Sequence, residues 1–334
     1  MRKALFLSVV LVLASGWLRA QSISITNPSF ESPALGDGGY CYPGGGSPGG
    51  ACTPTGWTIA GVAGVWNPKL NDVPPSYCGV ADPTQAFIDG VHLTQVAFSD
   101  GGDFEQITSA TITPGYRYTL KVNVGGRCEP WAGQAFAVIL AGSSVTPLSS
   151  ITGVNFANSW FEQTLTYTSP ASDPNAGQTL KIKLVKDTNV RQVDWDNVRL
   201  YESRVLTCEG FLSPFDQPLS LKKKENRAIP VKMILHDGLL GTVITGTDLS
   251  APPLVQVSVG GAIGEDIAGY AGDLLPAGLS DDSNEFRYDD DTQQWIINLG
   301  TKQFTASNTY NVTVVPGDHS YVIDGCTGTF TRQP

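Results

Sequence analysis

Thr113-Pro114-Gly115-Tyr116-Arg117-Tyr118-Thr119-Leu120-Lys121-Val122-Asn123-Val124 is the stretch that decides the fold class. Pro and Gly stand where a tight turn needs them, one for its preset φ and the other for its freedom at positive φ. After the turn, Tyr116, Tyr118, Leu120, Val122 and Val124 alternate with Arg117, Thr119, Lys121 and Asn123. This period of two predicts a strand with one buried face. Working outward, Phe161, Leu165 and Tyr167 alternate with Glu162, Thr164, Thr166 and Thr168, and Leu180, Ile182 and Leu184 alternate with Lys181 and Lys183. Residues 135–140 are nearly all apolar and read as a buried strand. Toward the N-terminus, residues 57–59, 85–88, 93–98 and 104–107 have strand character, the last two divided by a predicted turn at Asp100-Gly101-Gly102. In residues 194–200 the alternation places Asp196, Val198 and Leu200 on one side. No helical period is sustained. Short strands between turn clusters predict an all-β protein, here a jelly-roll β-sandwich.

The pattern restarts after residue 203. Strand candidates at 229–235, 254–259, 294–299, 310–315 and 321–323 predict a second, smaller immunoglobulin-like β-sandwich, although the Cys…Trp…Cys spacing of true immunoglobulin domains is missing. Residues 1–20 have the basic start (Arg2, Lys3), apolar run and small residues (Gly16, Ala20) of a secretory signal. The expected organisation is therefore a signal peptide at 1–20, a jelly roll at 21–203 and an accessory domain at 204–334, in a secreted protein of a bacterial exterior without membrane insertion. Without the leader, 18 basic face 31 acidic side chains, a net charge of −13. Such an acidic surface argues against nucleic acid as a partner. Cysteines in an exported chain predict disulfides. Keeping the bridges within domains pairs Cys41 with Cys52, Cys78 with Cys128 and Cys208 with Cys326; no Cys-x-x-Cys pair favours a metal instead.

Several motifs carry a family likeness. They are Asn27-Pro28-Ser29-Phe30-Glu31, Gly56-Trp57, Gln85-Ala86-Phe87, Leu93-Thr94-Gln95, the 113–120 turn and strand, and Asp196-Asn197-Val198. On these, residues 23–203 resemble the carbohydrate-binding-module-like, galactose-binding-like jelly rolls of secreted bacterial proteins. The second part resembles a small bacterial accessory domain with a Pro-x-Lys-Phe motif, present here as Pro230-Val231-Lys232-Met233. The first resemblance implies a structural calcium ion between the first and last strands, with Glu31 and Asp196 as its side-chain ligands; Ca²⁺ takes six to eight oxygens, and carboxylates with backbone carbonyls supply them. The alternative is that one carboxylate caps the backbone or pairs with Arg191 or Arg199.

Sugar recognition uses aromatic rings on pyranose faces with polar groups on the hydroxyls. Tyr40, Tyr42, Trp66, Tyr77 and Trp131 lie in predicted loops near cysteines, and Arg127 could supply polar contacts. The competing reading is that these rings cover the ends of the sandwich as packing. Trp57, Trp160, Trp195 and Trp295 fall within strand patterns and are expected in cores. No nucleophile elbow, metalloprotease helix or phosphate loop is present. No acid stands in an evidently apolar setting that would raise its pKa, so no catalytic residue is expected. The sequence thus predicts a non-catalytic protein whose partner is a carbohydrate or cell-surface glycan. A structural or adhesive role is the alternative, and a glycoside hydrolase the third.

Overall fold

The computed structural model describes residues 21–45, 50–68, 91–127, 134–143, 146–156, 159–186, 192–222, 228–259, 284–301, 304 and 308–333. Among these residues there is no helix, and the all-β expectation holds. The leader at 1–20, Tyr77, Cys78, Cys128, Trp131, Arg191 and the 85–88 strand lie outside the described residues.

In chain order the first part contains β1 (Gln21–Ile23), β2 (Tyr40–Cys41), β3 (Thr58–Trp66), β4 (Val96–Thr111), β5 (Tyr116–Gly126), β6 (Ala135–Ala141), β7 (Pro147–Val154), β8 (Ser159–Thr168), β9 (Thr179–Lys186) and β10 (Val193–Cys208). They pair in the order β7-β6-β9-β4-β10-β5-β8, with β3 also on β4, β2 on β3 and β1 on β10. The two ends of this path, β7 and β8, come into contact, so the sheet nearly closes on itself. Its interior is filled by the alternating residues that the sequence marks: Tyr118, Leu120, Val122 and Val124 from β5, Val138 and Leu140 from β6, and Leu180, Ile182 and Leu184 from β9 are all fully buried.

Two local corrections follow from glycine and register. The predicted turn at Asp100-Gly101-Gly102 is instead an irregularity within one long strand. Gly101 takes φ 115° and Ser99 bonds to Gly102, so β4 continues through the kink while its partner β3 shifts register between Gly61 and Ala63. The single parity expected for Asp196, Val198 and Leu200 is broken too. Asn197 has φ 50°, and the β5–β10 register slips between Asp196 and Arg199. Such a bulge puts one extra residue on one strand and reverses the facing of everything beyond it. Val193 and Trp195 therefore share the main core with Val198 and Leu200. Asp194 and Asp196 are turned to the opposite face.

The second part contains β11 (Leu219–Leu221), β12 (Ala228–Met233), β13 (Leu235–Asp237), β14 (Leu254–Val259), β15 (Arg287–Asp289), β16 (Gln294–Gly300), β17 (Asn308–Val315), β18 (Tyr321–Asp324) and β19 (Thr327–Arg332). One sheet runs β11-β19-β17-β14 and another β12-β16-β15. Residues from both, among them Phe330, Tyr310, Val231 and Trp295, form a second core.

β10 joins the two parts. Its first half pairs with β4 and β5, and its last residues pair with β13 and β18. Arg117 meets Asp324 at 2.8 Å, Arg204 meets Asp237 at 2.5 Å, and the Ser203 hydroxyl donates to the His319 carbonyl at 2.8 Å. Disulfides link Cys41 to Cys52 and Cys208 to Cys326.

Candidate active site

The site begins with one pair of residues in neighbouring strands. Asp194 on β10 stands opposite Phe98 on β4 and opposite Gly125 on β5; Phe98 stands opposite Gly64 on β3, and Gly125 opposite Trp160 on β8. Directly opposed residues share a face, so Gly64, Phe98, Asp194, Gly125 and Trp160 form one row across five strands. This row lies on the face away from the main core. Both positions need glycine. A Cβ on Gly125 would meet the Trp160 indole at 2.7 Å, and one on Gly64 would run into the Cys41 carbonyl oxygen of the neighbouring strand. A small apolar cluster separate from the main core covers the row: Trp66, Val96 and Phe98 are buried, with Tyr40, Tyr42 and Trp160 packed against them. Tyr42 meets Phe98 edge-on at 6.4 Å.

Arg127 closes the arrangement. Its guanidinium carbon lies 3.6 Å from the centroid of the Trp66 ring. Arg127 follows β5 and Trp66 ends β3, with β10 and β4 between them, a span of roughly 14 Å at about 4.8 Å per strand. The two side chains reach over the intervening strands, and the acid beneath is sealed from water. Asp194 has no exposed surface, and neither of its oxygens has a hydrogen-bond partner. Burial pushes its pKa up to about 7, Arg127 partly opposing the shift and Asp100 adding to it. At neutral pH a large share of Asp194 is therefore a neutral carboxylic acid set among aromatic rings. Asp100 is also raised by burial, against the pull of Arg127 and Lys186.

The second cluster is the clasp at Glu31 and Asp196. Val198 N–H donates to the Pro28 carbonyl at 2.9 Å, so the Asn27–Glu31 stretch lies against the end of β10's bulge. Glu31 Oε1 accepts from the N–H groups of Thr94 at 2.9 Å and Gln95 at 2.7 Å, and Oε2 accepts from the Thr94 hydroxyl. Asp196 accepts from the N–H groups of His92 and Asn197, both at 2.6 Å. Burial raises the Asp196 pKa to about 8, and the Glu31 charge adds to this. Asn27, Phe30, Leu93 and Asn197, all non-glycine, take φ between 50° and 70° around these two acids. Backbone held in this sparsely populated region costs free energy and gathers at functional sites. Among the described residues, no group of three or more His, Cys, Asp or Glu side chains converges. A cation here would have to complete its shell with carbonyl oxygens. Both acids accept from backbone N–H groups, the capping role left open by the sequence, and Arg199 pairs with Glu162 rather than with either acid.

Of the residues predicted for ligand contact, the structure gathers Tyr40, Tyr42, Trp66 and Arg127 around the Asp194 row. Trp160, expected in the core, instead flanks that row, whereas Trp57, Trp195 and Trp295 are buried in the two cores. Sequence reasoning missed Asp194, and the expectation that no acid sits in an apolar setting is wrong. Between Val193 and Trp195 the residue looks like an ordinary outward-facing strand acid. Only the partner strands and the Arg127–Trp66 contact close that face.

A fully buried acid beneath aromatic rings, its pKa raised by burial, sets this face apart from the open platform of a sugar-binding module. Residues 21–201 match the model of the HpiC1-like family, described as HpiC1 cyclase, and the chain belongs to that family. No curated protein matches it. Among solved structures, the chain is similar to a Stig cyclase, FisC from Fischerella sp. TAU in complex with (3Z)-3-(1-methyl-2-pyrrolidinylidene)-3H-indole, at 24% identity over 55% of this chain and 98% of that one, with a TM-score of 0.41. A cyclase from Fischerella sp. TAU in complex with 4-(1H-indol-3-yl)butan-2-one gives 23% identity over 55% and 98%, TM-score 0.42. A structure described as CBM4 gives 17% identity over 54% and 100%, TM-score 0.33. The family match overturns the expectation of a non-catalytic, carbohydrate-binding protein, and with it the expected glycan partner. The rings at Tyr40, Tyr42 and Trp66 are packed over a buried acid rather than displayed as a stacking surface.

Proposed function

We propose that this chain is a cyclase that closes a ring in a small, flat, unsaturated substrate by acid catalysis, with Asp194 as the proton donor. The observation that carries this reading is geometric: Asp194 is fully buried, both oxygens lack a partner, and it stands in a row with Phe98 and Trp160 under Trp66. A buried carboxylic acid that is neutral near pH 7 can transfer a proton to a carbon–carbon π bond. The electron pair of that bond forms the new C–H bond and leaves a cation on the substrate. The faces of Phe98 and Trp160 attract that cation, and Arg127, seated on the Trp66 ring, stabilises the carboxylate left behind. A second π bond of the same substrate attacks the cation and closes the ring. Loss of a proton to Asp194 ends the cycle. Product and substrate are isomers, and no electron is gained or lost.

The test is turnover by the 21–334 chain of a panel of alkenyl-substituted aromatics, indoles included, in D₂O. A product of substrate mass plus one exchanged deuterium supports the reading. Absence of any isomer across the panel, or turnover that survives Asp194→Asn, refutes it. Gly125→Val is expected to drive the Trp160 ring off the row and to lower kcat about tenfold or more, since small misplacements at a reacting centre are costly. Circular dichroism would show that the sheet is kept.

We further propose that Glu31 and Asp196 hold a structural calcium ion, whose charge would keep Asp196 ionised and tie the 27–31 stretch to β10. The concentration of left-handed residues there supports this. EDTA is expected to lower the melting temperature by several degrees, and excess Ca²⁺ to restore it; an unchanged melting curve rejects the site. The Cys41–Cys52 and Cys208–Cys326 bridges support an oxidising, exported location.

A further inference from the structure

Beside the Asp194 row runs a second row whose chemistry the proton transfer does not use. Continuing the register by two residues on each strand sets Asp100 of β4, Gln192 at the entry to β10 and Arg127 at the end of β5 side by side, on the same face as Asp194. Gln192 is 5% exposed. Asp100 Oδ1, Gln192 Oε1 and both Asp194 oxygens are buried and have no hydrogen-bond partner. Buried acceptors are nearly always paired, and leaving one bare is costly. The Asp100 and Gln192 acceptors, side by side on two strands, call for a donor that arrives with a ligand.

The Gln192 side chain lies beside the Asp100 carboxyl and eases the rise that burial gives its pKa, and its Oε1 is buried without a partner. The backbone beneath is anchored by the buried Asn155, whose amide donates to the Gln192 carbonyl at 3.0 Å. Charge then narrows the ligand. Arg127 and Lys186 both act on Asp100, so a cationic group would meet two cations. An anionic group would meet the bare acceptor lone pairs. A neutral N–H or O–H suits both.

We infer that Gln192 is a specificity-determining residue. Its Oε1 accepts a hydrogen bond from a neutral N–H or O–H on the ring system of the substrate, while Trp66, Phe98 and Trp160 hold the flat body. This rests on the reading of the Asp194 face as the cyclase site. A flat aromatic of the same shape without the donor would leave the amide oxygen dry, and sites built on a buried hydrogen bond reject such analogues strongly.

The test compares binding of indole with that of benzothiophene, its isostere without an N–H, by titration calorimetry on the 21–334 chain. Wild type is expected to favour indole by at least about tenfold. Gln192→Leu should bring the two within about twofold, and Gln192→Glu, which keeps an acceptor, should retain the preference. Equal binding of both probes by wild type overturns the inference. So does an undiminished preference in a folded Gln192→Leu chain, or a preference lost in Asp194→Asn alone, which would make Asp194 the acceptor. A preference that follows Gln192 while no substrate is turned over upholds the subsite and removes the cyclase reading, so the two fail separately.

Discussion

Asp194→Asn should abolish ring closure, with kcat falling by about a thousandfold, while leaving the sheet intact and the protein more stable in alkaline solution. The size of the kinetic loss follows from what a positioned general acid contributes, about 10²–10⁴ in rate. Asn has nearly the shape of Asp but no proton to give. The stability change follows from linkage. In the unfolded chain Asp194 ionises at the ordinary carboxylate value, and in the fold burial moves this to about 7. The folded form therefore binds the proton more tightly than the unfolded form. The stability this contributes is complete below about pH 4 and is lost as pH rises through about 7. At pH 9 wild type carries a buried, unpartnered carboxylate that the variant does not. The variant is expected to be the more stable there by roughly 4 kcal/mol and nearly equal at pH 4. Urea unfolding of both proteins at the two pH values measures the difference, and the Asp196 clasp, present in both, cancels when variant and wild type are compared at the same pH. The activity of wild type should fall on the alkaline side with a midpoint near 7. A variant that loses activity but shows no pH-dependent gain in stability would mean that Asp194 is ionised in the fold and works in another way.

Breaking the Cys208–Cys326 bridge, by Cys208→Ser with Cys326→Ser, should cost about 4–5 kcal/mol on the chain-entropy model for a loop of this length. The bridged residues are 118 apart in sequence, so the crosslink restrains almost the whole second part in the unfolded state. It also ties Cys208, the last residue of β10, to the segment between β18 and β19. Because β10 carries Asp194 and Asp196 at one end and pairs with β13 and β18 at the other, loosening the second part should be felt at the site. The double variant is expected to show a lower urea midpoint and weaker Ca²⁺ protection than wild type. A loss below about 1 kcal/mol would show that the β10 pairings and the Arg117–Asp324 and Arg204–Asp237 ion pairs hold the second part without the bridge.

These results would fall on features that the sequence displays unevenly. The alternating runs at 116–124 and 180–184 were legible because a strand with one buried face must repeat every two residues, whatever its partners. The juxtaposition of Asn27–Glu31 with the 194–200 strand was legible through its motifs, and the hydrogen bond from Val198 to Pro28 is its physical form. The aromatic residues Tyr40, Tyr42 and Trp66 could be picked out by type, but their task could not. A ring on an open loop and a ring over a buried acid have the same letters.

What the chain by itself determined is the class of structure: an all-β protein, set by local periodicity and by turn residues that act within a few positions of each other. What only the tertiary structure decided is the chemistry. The bulge at Asn197 reverses the facing of β10, Gly125 makes room for the Trp160 ring, Gly64 lets the Cys41 strand approach, and Arg127 crosses to Trp66 from three strands away. Together they take Asp194 out of water. The pKa of a carboxyl group depends on the medium around it, and that medium is assembled from residues distant in sequence, so no local pattern at positions 193–195 could report it.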